Sequence, residues 1–116
     1  MEKVLIIDGR QVRFKSTGAF LLRYKAQFGR DALQDIMKLQ EVVDDKNQIK
    51  NINALDLEVF YNLVWTLAKT ADPEIPPPME WLDTFETFPL ADILPELTDL
   101  IFASLGTTVE PKKNRG

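Results

Sequence analysis

The 116-residue chain contains neither cysteine nor histidine. Without cysteine there is no disulfide bond, no thiolate nucleophile and no thiolate metal ligand. Without histidine there is no Ser-His or Cys-His catalytic pair, no imidazole ligand for zinc and no side chain whose unperturbed pKa is near neutral pH. These absences exclude many enzyme mechanisms, and we therefore expect a protein with no catalytic activity and no cofactor.

Long apolar runs and glycine-rich loops are also missing. The apolar run 4–7 is too short for the hydrophobic region of a signal peptide and is interrupted by Asp8, and no segment approaches the length of a transmembrane helix. The five glycines are dispersed singly, so the sequence has no phosphate-binding loop. We expect one domain, located in a cytoplasm and not in a membrane.

The net charge of -4 at pH 7 hides an uneven distribution of charge along the chain. Residues 1–30 carry seven bases and two acids, a net charge of +5. Residues 31–111 carry four bases and sixteen acids, a net charge of -12, and residues 112–116 carry three bases. The chain thus has a basic N-terminal lobe and an acidic body.

A basic lobe has two interpretations. It is one requirement for nucleic-acid binding, although a chain that is acidic overall is repelled by phosphates and this one has no nucleic-acid-binding motif. Alternatively, the lobe contacts the acidic part of a second copy or of a partner. We favour the second interpretation, with no nucleic-acid partner, and predict a homo-oligomer with self-association through Arg10, Arg13 and Lys15.

The N-terminal residues 4–15 are typical of a β-hairpin. An aliphatic strand leads into Asp8-Gly9, a favoured two-residue turn, and the next residues alternate between polar and apolar. The alternation places Val12 and Phe14 on one face of the second strand. Because a lone two-stranded sheet is marginally stable in water, the hairpin must pack on helices or pair with a neighbouring molecule.

The rest of the chain has the periodicity of helices. Gly29 is a typical helix stop, Asp31 with Gln34 forms a capping box, and Pro95 either kinks the last helix or begins its regular part. The predicted helices cover about 18–28, 31–43, a start at Asn53 or Asp56 through to 70 or 71, 79–84 and 90–105. In the second helix, the residues predicted to face inward are Leu33, Ile36, Met37, Gln40 and Val43.

The predicted fold class is therefore mainly α with a small N-terminal β-hairpin (α+β). We expect a compact helical domain of four to five helices over residues 1–106, in which 17–105 is the helical part. Residues 107–116 form a tail that we expect to be disordered.

Three aromatic residues, Trp81, Phe85 and Phe88, lie close together in a short acidic segment that follows three prolines. One interpretation is that the rings close the core over the third helix, since tryptophan is usually well packed. The other is that they form an exposed anchor for another chain, because tryptophan and phenylalanine are enriched at interfaces. We predict a partner-binding site at these three residues, and we expect Trp65 to lie in the core.

Carboxylates were the remaining candidates for chemistry. Asp31 and Asp35 are one helical turn apart, and Asp44 and Asp45 are adjacent, which raises the possibility of a Mg²⁺-dependent enzyme. Capping explains Asp31, and a solvated helix face explains Asp35. We therefore predict no metal site.

Several segments together resemble the tail assembly chaperones of long-tailed bacteriophages and prophages of Gram-positive bacteria. The resemblance covers residues 4 to about 105, in order and with similar spacing. The segments that carry it are Ile7–Gly18, Leu22–Asp31, Leu57–Asn62, Trp65, Ala68–Pro73, the proline run and Glu80–Asp83.

The resemblance implies a non-catalytic protein that binds the tape measure protein and keeps it soluble during tail assembly. Such a chaperone acts in the cytoplasm of the host bacterium and is absent from the mature virion. The family also implies a longer product of ribosomal frameshifting, whose extra domain recruits the tail tube protein. Lys112-Lys113-Asn114 is compatible with a slippery codon sequence and equally with an ordinary polar tail. The alternative function is a small regulatory or nucleic-acid-binding protein that uses the basic lobe.

Overall fold

A computed structural model describes residues 1–46 and 48–105, which form a two-stranded antiparallel sheet followed by five α-helices. The predicted α+β class and the number of helices are confirmed. The tail predicted for 107–116 lies outside the described residues. The elements are β1 (Glu2–Ile7), β2 (Arg10–Lys15), α1 (Phe20–Phe28), α2 (Ala32–Gln40), α3 (Leu57–Ala71), α4 (Pro78–Asp83) and α5 (Leu90–Phe102), with short 3-10 turns at Ile52–Ala54 and Ala103–Leu105.

The hairpin has the turn that its sequence predicts. Asp8 and Gly9 have φ values of 53° and 76°, and positive φ at both central residues defines the turn whose twist matches that of the strands. In the resulting register Ile7 pairs with Arg10. Val12 and Phe14 are buried, and β2 packs on α3. The helices therefore cover one face of the sheet, as its marginal stability requires.

Local hydrogen bonds set the limits of α1 and α2. The side-chain oxygen of Thr17 accepts from the N–H of Ala19, so α1 begins two residues later than predicted. It ends at Gly29, whose φ of 68° and N–H bond to the carbonyl of Lys25 make it the predicted stop. Asp31 caps α2 by accepting from the N–H groups of Leu33 and Gln34.

The buried face of α2 differs from the predicted one. Ile36 and Val43 are buried as predicted, but Leu33, Met37 and Gln40 are exposed. The helix also ends at Gln40, three residues earlier than predicted. The face that packs on the core carries Ala32, Asp35, Ile36 and Leu39. The prediction was wrong because it treated the aspartate as a solvated residue.

Helix α3 is the central element, and it contacts β2 and each of the other four helices. Its N-terminus is capped by Asp56, whose carboxylate accepts from the N–H of Val59. Trp65 is 3% exposed, which confirms its predicted place in the core. The sequence had left Asn53 and Asp56 open as caps, and Asn53 lies instead in the preceding 3-10 turn.

Side chains of α3 hold the connection to α4. The indole N–H of Trp65 donates to the carbonyl of Pro76 at 2.9 Å, and the Lys69 ammonium donates to the carbonyls of Pro73 and Ile75. The proline run is therefore fixed against α3, and this contact determines where α4 begins.

Helix α5 starts at Leu90, so Pro95 lies inside the helix and is not its first residue. The helix contacts α3 and α2 through a buried apolar face. Ala103 and Ser104, in the 3-10 turn that follows the helix, are exposed. Within the described residues, no helix combines the length and the apolar character needed to cross a membrane.

Candidate partner-binding surface

Two of the three aromatic residues predicted to bind a partner are buried inside the chain. Trp81 is 3% exposed and Phe85 is 7% exposed, and their rings meet edge to face with centroids 5.1 Å apart. The interpretation that the rings close the core describes these two residues. The expectation that they are exposed was wrong, because the fixed proline run folds α4 back onto the core.

Phe88 is the member of the predicted set that reaches the surface. It is half-buried, and its ring lies 5.2 Å from Phe85, 5.6 Å from Trp81, 6.4 Å from Phe60 and 6.1 Å from Tyr61. Phe88 therefore connects the buried pair in the α4 segment with the aromatic residues of α3. The half-buried Phe88 ring therefore packs against four other rings.

An apolar strip extends from Phe88 along α3. Tyr61 is half-buried against Phe88, and Leu57, one helical turn before Tyr61 on the same face, is 49% exposed. We call Leu57, Tyr61 and Phe88 the aromatic strip. Exposed carboxylates lie next to it in sequence, at Glu58 and Glu86. The sequence does not reveal this surface, because Leu57 and Tyr61 follow the same helical spacing as the buried residues Val64 and Ala68 of α3.

The hairpin is attached to the segment that carries Phe85. The Arg10 guanidinium lies 3.8 Å from the centre of the Phe85 ring and donates to the carbonyl and the hydroxyl of Thr84, at 3.3 and 3.2 Å. On the other side of the turn, the Asp8 carboxylate accepts from the N–H of Glu86 at 3.0 Å. The side chains of Asp8 and Arg10 thus both bind within the chain.

The three residues predicted to mediate self-association differ in their surroundings. Arg10 is engaged with Thr84 and Phe85. Arg13 lies 3.9 Å from the Glu2 carboxylate across the hairpin, and Lys15 is exposed beside it. The role of all three in self-association stays a prediction.

Another part of the basic lobe binds a buried carboxylate. Asp35 is 3% exposed and accepts from the Arg30 guanidinium at 2.7 and 2.9 Å and from the Tyr24 hydroxyl at 2.7 Å. The hydrogen bonds from Arg30 hold the pKa of Asp35 below its usual value, although burial acts in the opposite direction. Burial, together with the bond to Asp35, raises the pKa of Tyr24. This cluster joins α1 to α2.

Three of the four carboxylates considered as metal ligands have other partners. Asp31 caps α2, and Asp35 binds Arg30 and Tyr24. Asp44 accepts from the N–H groups of Lys46 and Gln48 in a tight turn. Over residues 1–46 and 48–105, no group of three or more potential ligands is placed to hold a metal ion.

Comparison with protein-family models, with curated proteins and with solved structures finds no match to this chain.

Proposed function

We propose that the chain is a tail assembly chaperone of a long-tailed bacteriophage or prophage. In this role it binds the tape measure protein without catalysis, in the cytoplasm of the host, and is absent from the finished virion. The observation that carries the proposal is the ordered resemblance of segments from residue 4 to about 105. As part of the same proposal, ribosomal frameshifting yields a longer product whose extra domain recruits the tail tube protein.

The physical properties of the surface support this role. A tape measure protein is a long helical chain whose apolar faces need cover before the tube forms around it. The aromatic strip presents half-exposed rings on a rigid base, and an amphipathic helix binds such a surface through residues on one of its faces. The net charge of -4 favours solubility of a complex with an aggregation-prone client.

A substitution in the strip tests the site without disturbing the core. Leu57 is the first residue of α3 and is half-exposed, so Leu57→Asp places a charge on the strip at a helix start, where acidic residues are tolerated. We expect co-expressed tape measure protein to remain soluble with the unmodified chain. With Leu57→Asp we expect recovery of the soluble complex to fall about tenfold, as loss of one interface anchor predicts.

Leu22→Asp is the matched control, because Leu22 is 75% exposed on α1. It introduces the same change outside the strip and should leave recovery unchanged. Equal recovery with both variants would reject the aromatic strip as the site. Failure of the unmodified chain to solubilise the tape measure protein would reject the proposed function.

The proposed function also predicts the gene neighbourhood. We expect an overlapping downstream reading frame beside the gene, followed by a very long reading frame that encodes a helical protein.

The nucleic-acid alternative has less support. Lys3 donates to the carbonyl of Glu96, Arg10 binds the α4 segment, and Arg30 binds Asp35, so these three bases of the lobe are engaged within the chain. Salt-dependent binding of duplex DNA would favour this alternative, since counterion release makes such binding sensitive to salt.

A further inference from the structure

Over residues 1–46 and 48–105, strand β1 pairs with β2 along one edge and with no strand along the other. Met1 and Ser16 exchange two backbone hydrogen bonds, at 2.8 and 3.1 Å. Hydrogen-bonded and non-hydrogen-bonded pairs alternate along an antiparallel sheet, so the odd-numbered residues of β1 are the ones that bond to β2. The N–H and C=O groups of the alternate residues, Glu2, Val4 and Ile6, therefore point away from β2. Among the described residues, none forms a hydrogen bond with these outward-pointing backbone groups.

Beyond its first two residues, Glu2 and Lys3, this edge lacks the features that protect natural sheet edges from pairing. From Val4 to Ile7 there is no charge, no proline and no bulge. On the outward face of the hairpin, Val4 is 50% exposed and Ile6 is 67% exposed. The outer edge of β2, by contrast, carries Arg13 and Lys15. The two edges thus differ, and β1 has the one suited to accept another strand.

A groove of about 280 Å³ runs beside the β1 edge. Residues of β1 line one wall, and residues of α5 line the other, with Ile93 buried between them. Two exposed carboxylates, Asp92 and Glu96, lie on the α5 side, and Glu96 is 3.7 Å from the Lys3 ammonium of the same chain. A strand added to the edge would pass over this groove, so it should carry a base at the position that faces α5.

We propose that two copies of this chain pair through their β1 strands, antiparallel, to form a four-stranded sheet across the dimer. Leu5 faces the partner's Leu5 in the register that we infer. Val4 then faces the partner's Ile6, so the exposed apolar residues of the two copies meet as cross-strand pairs.

Charge favours a second copy as the occupant. Lys3 is the one base in β1, and its ammonium contacts Glu96 of its own chain. In the inferred register the partner's Lys3 faces Ile7, beside Asp92, so Asp92 adds a second carboxylate near that ammonium. The symmetry of the dimer makes this contact twice. The pairing concerns the chain itself and does not depend on the identity of a client protein.

Proline substitutions on the two edges test the pairing. Ile6→Pro removes an N–H that points away from β2, so it blocks the added strand while leaving the ladder of the hairpin in place. Gln11→Pro is the matched control. Gln11 faces Ile6 across the hairpin, and its N–H points outward from the edge of β2, where we propose no added strand. In sedimentation across concentration, we expect dimerisation of the unmodified chain and of Gln11→Pro, and at least about tenfold weaker dimerisation of Ile6→Pro.

The absence of cysteine allows a second test that does not depend on the proline variants folding. In the inferred register the two Leu5 residues form a non-hydrogen-bonded pair, with Cα atoms roughly 4.5 Å apart, which is within the range of a disulfide. Leu5→Cys should therefore form a covalent dimer under mild oxidation, whereas Gln11→Cys should not. A crosslink at Val4→Cys and none at Leu5→Cys would overturn the register. A monomer at all concentrations, or equal crosslinking at Gln11→Cys, would overturn the proposal.

Discussion

At the scale of single residues, Asp35 shows why the sequence misassigned one helix face. An aspartate in a helix is usually solvated, and the sequence alone does not show that Arg30 and Tyr24 come close enough to bind it. With these partners the carboxylate is buried and fully hydrogen-bonded. The face of α2 that carries it therefore packs on the core. The spacing of Ala32, Ile36 and Leu39 was visible in the sequence, but the charge between them concealed the pattern.

Asp35→Asn should destabilise the fold. The change keeps the size of the side chain but removes the charge that Arg30 and Tyr24 bind, so we expect the free energy of unfolding to fall by about 1–3 kcal/mol in urea titrations. The part of Arg30 that reaches solvent moderates the loss. Asp31→Asn is the control: it removes the same charge four residues away, but asparagine caps a helix as well as aspartate does, so stability should change little. Equal losses in both variants would contradict a specific role for Asp35.

The same carboxylate predicts a dependence on pH. Because the pKa of Asp35 is lower in the folded chain than in the unfolded chain, its contribution to stability is complete above the unfolded pKa of about 3.9. The contribution is lost as the pH falls through the folded pKa. Unfolding titrations should therefore show a constant difference between the unmodified chain and Asp35→Asn above about pH 5, and a shrinking difference below about pH 4. A constant difference down to low pH would contradict this prediction.

At the scale of elements, the sequence correctly predicted the features that depend only on residues close together in the chain. The hairpin turn at Asp8-Gly9 and the helix stop at Gly29 require particular backbone angles, and the sequence shows which residues allow them. The place of Trp81 depended on a distant contact, since the hydrogen bond from Trp65 to Pro76 decides how α4 returns to the core. No pattern near Trp81 contains that information, so the two interpretations of the aromatic segment could not be separated from the sequence.

Gly29→Ala tests the connection between α1 and α2. Gly29 has a φ of 68°, and an added Cβ would meet no atom within 4 Å, so the cost is that of the left-handed backbone alone. We expect the free energy of unfolding to fall by about 1 kcal/mol. Gly18→Ala is the control, because an added Cβ at Gly18 also meets no atom within 4 Å but the residue lacks a positive φ. The free energy of unfolding of this variant should stay the same or rise slightly. Comparable losses at both sites would show that the left-handed backbone is not the cause.

At the scale of the whole molecule, some charges of the basic lobe and the acidic body are paired within the chain, which the sequence did not indicate. Two of the seven bases of the basic lobe, Lys3 and Arg30, contact acidic residues of the body of their own chain. Lys3 reaches Glu96 on α5, and Arg30 reaches Asp35 and lies 4.0 Å from Glu58 on α3. Which bases pair with which acids depends on the packing of helices far apart in sequence, so composition alone could not reveal it. These contacts tie the first elements of the chain to the last helix.

We therefore expect the described part of the chain to unfold as one cooperative unit. The two tryptophans report on different elements, since Trp65 lies in α3 and Trp81 in α4. Trp65→Phe leaves Trp81 as the one fluorescent tryptophan, and Trp81→Phe leaves Trp65. Within each variant, the fluorescence transition in urea should coincide with the loss of helix followed by circular dichroism, because a single core leaves no element to unfold alone. Comparing two probes within one variant removes the effect of the substitution on stability. An earlier transition for Trp81 than for the helices would instead identify α4 and its proline run as a separate, weaker unit.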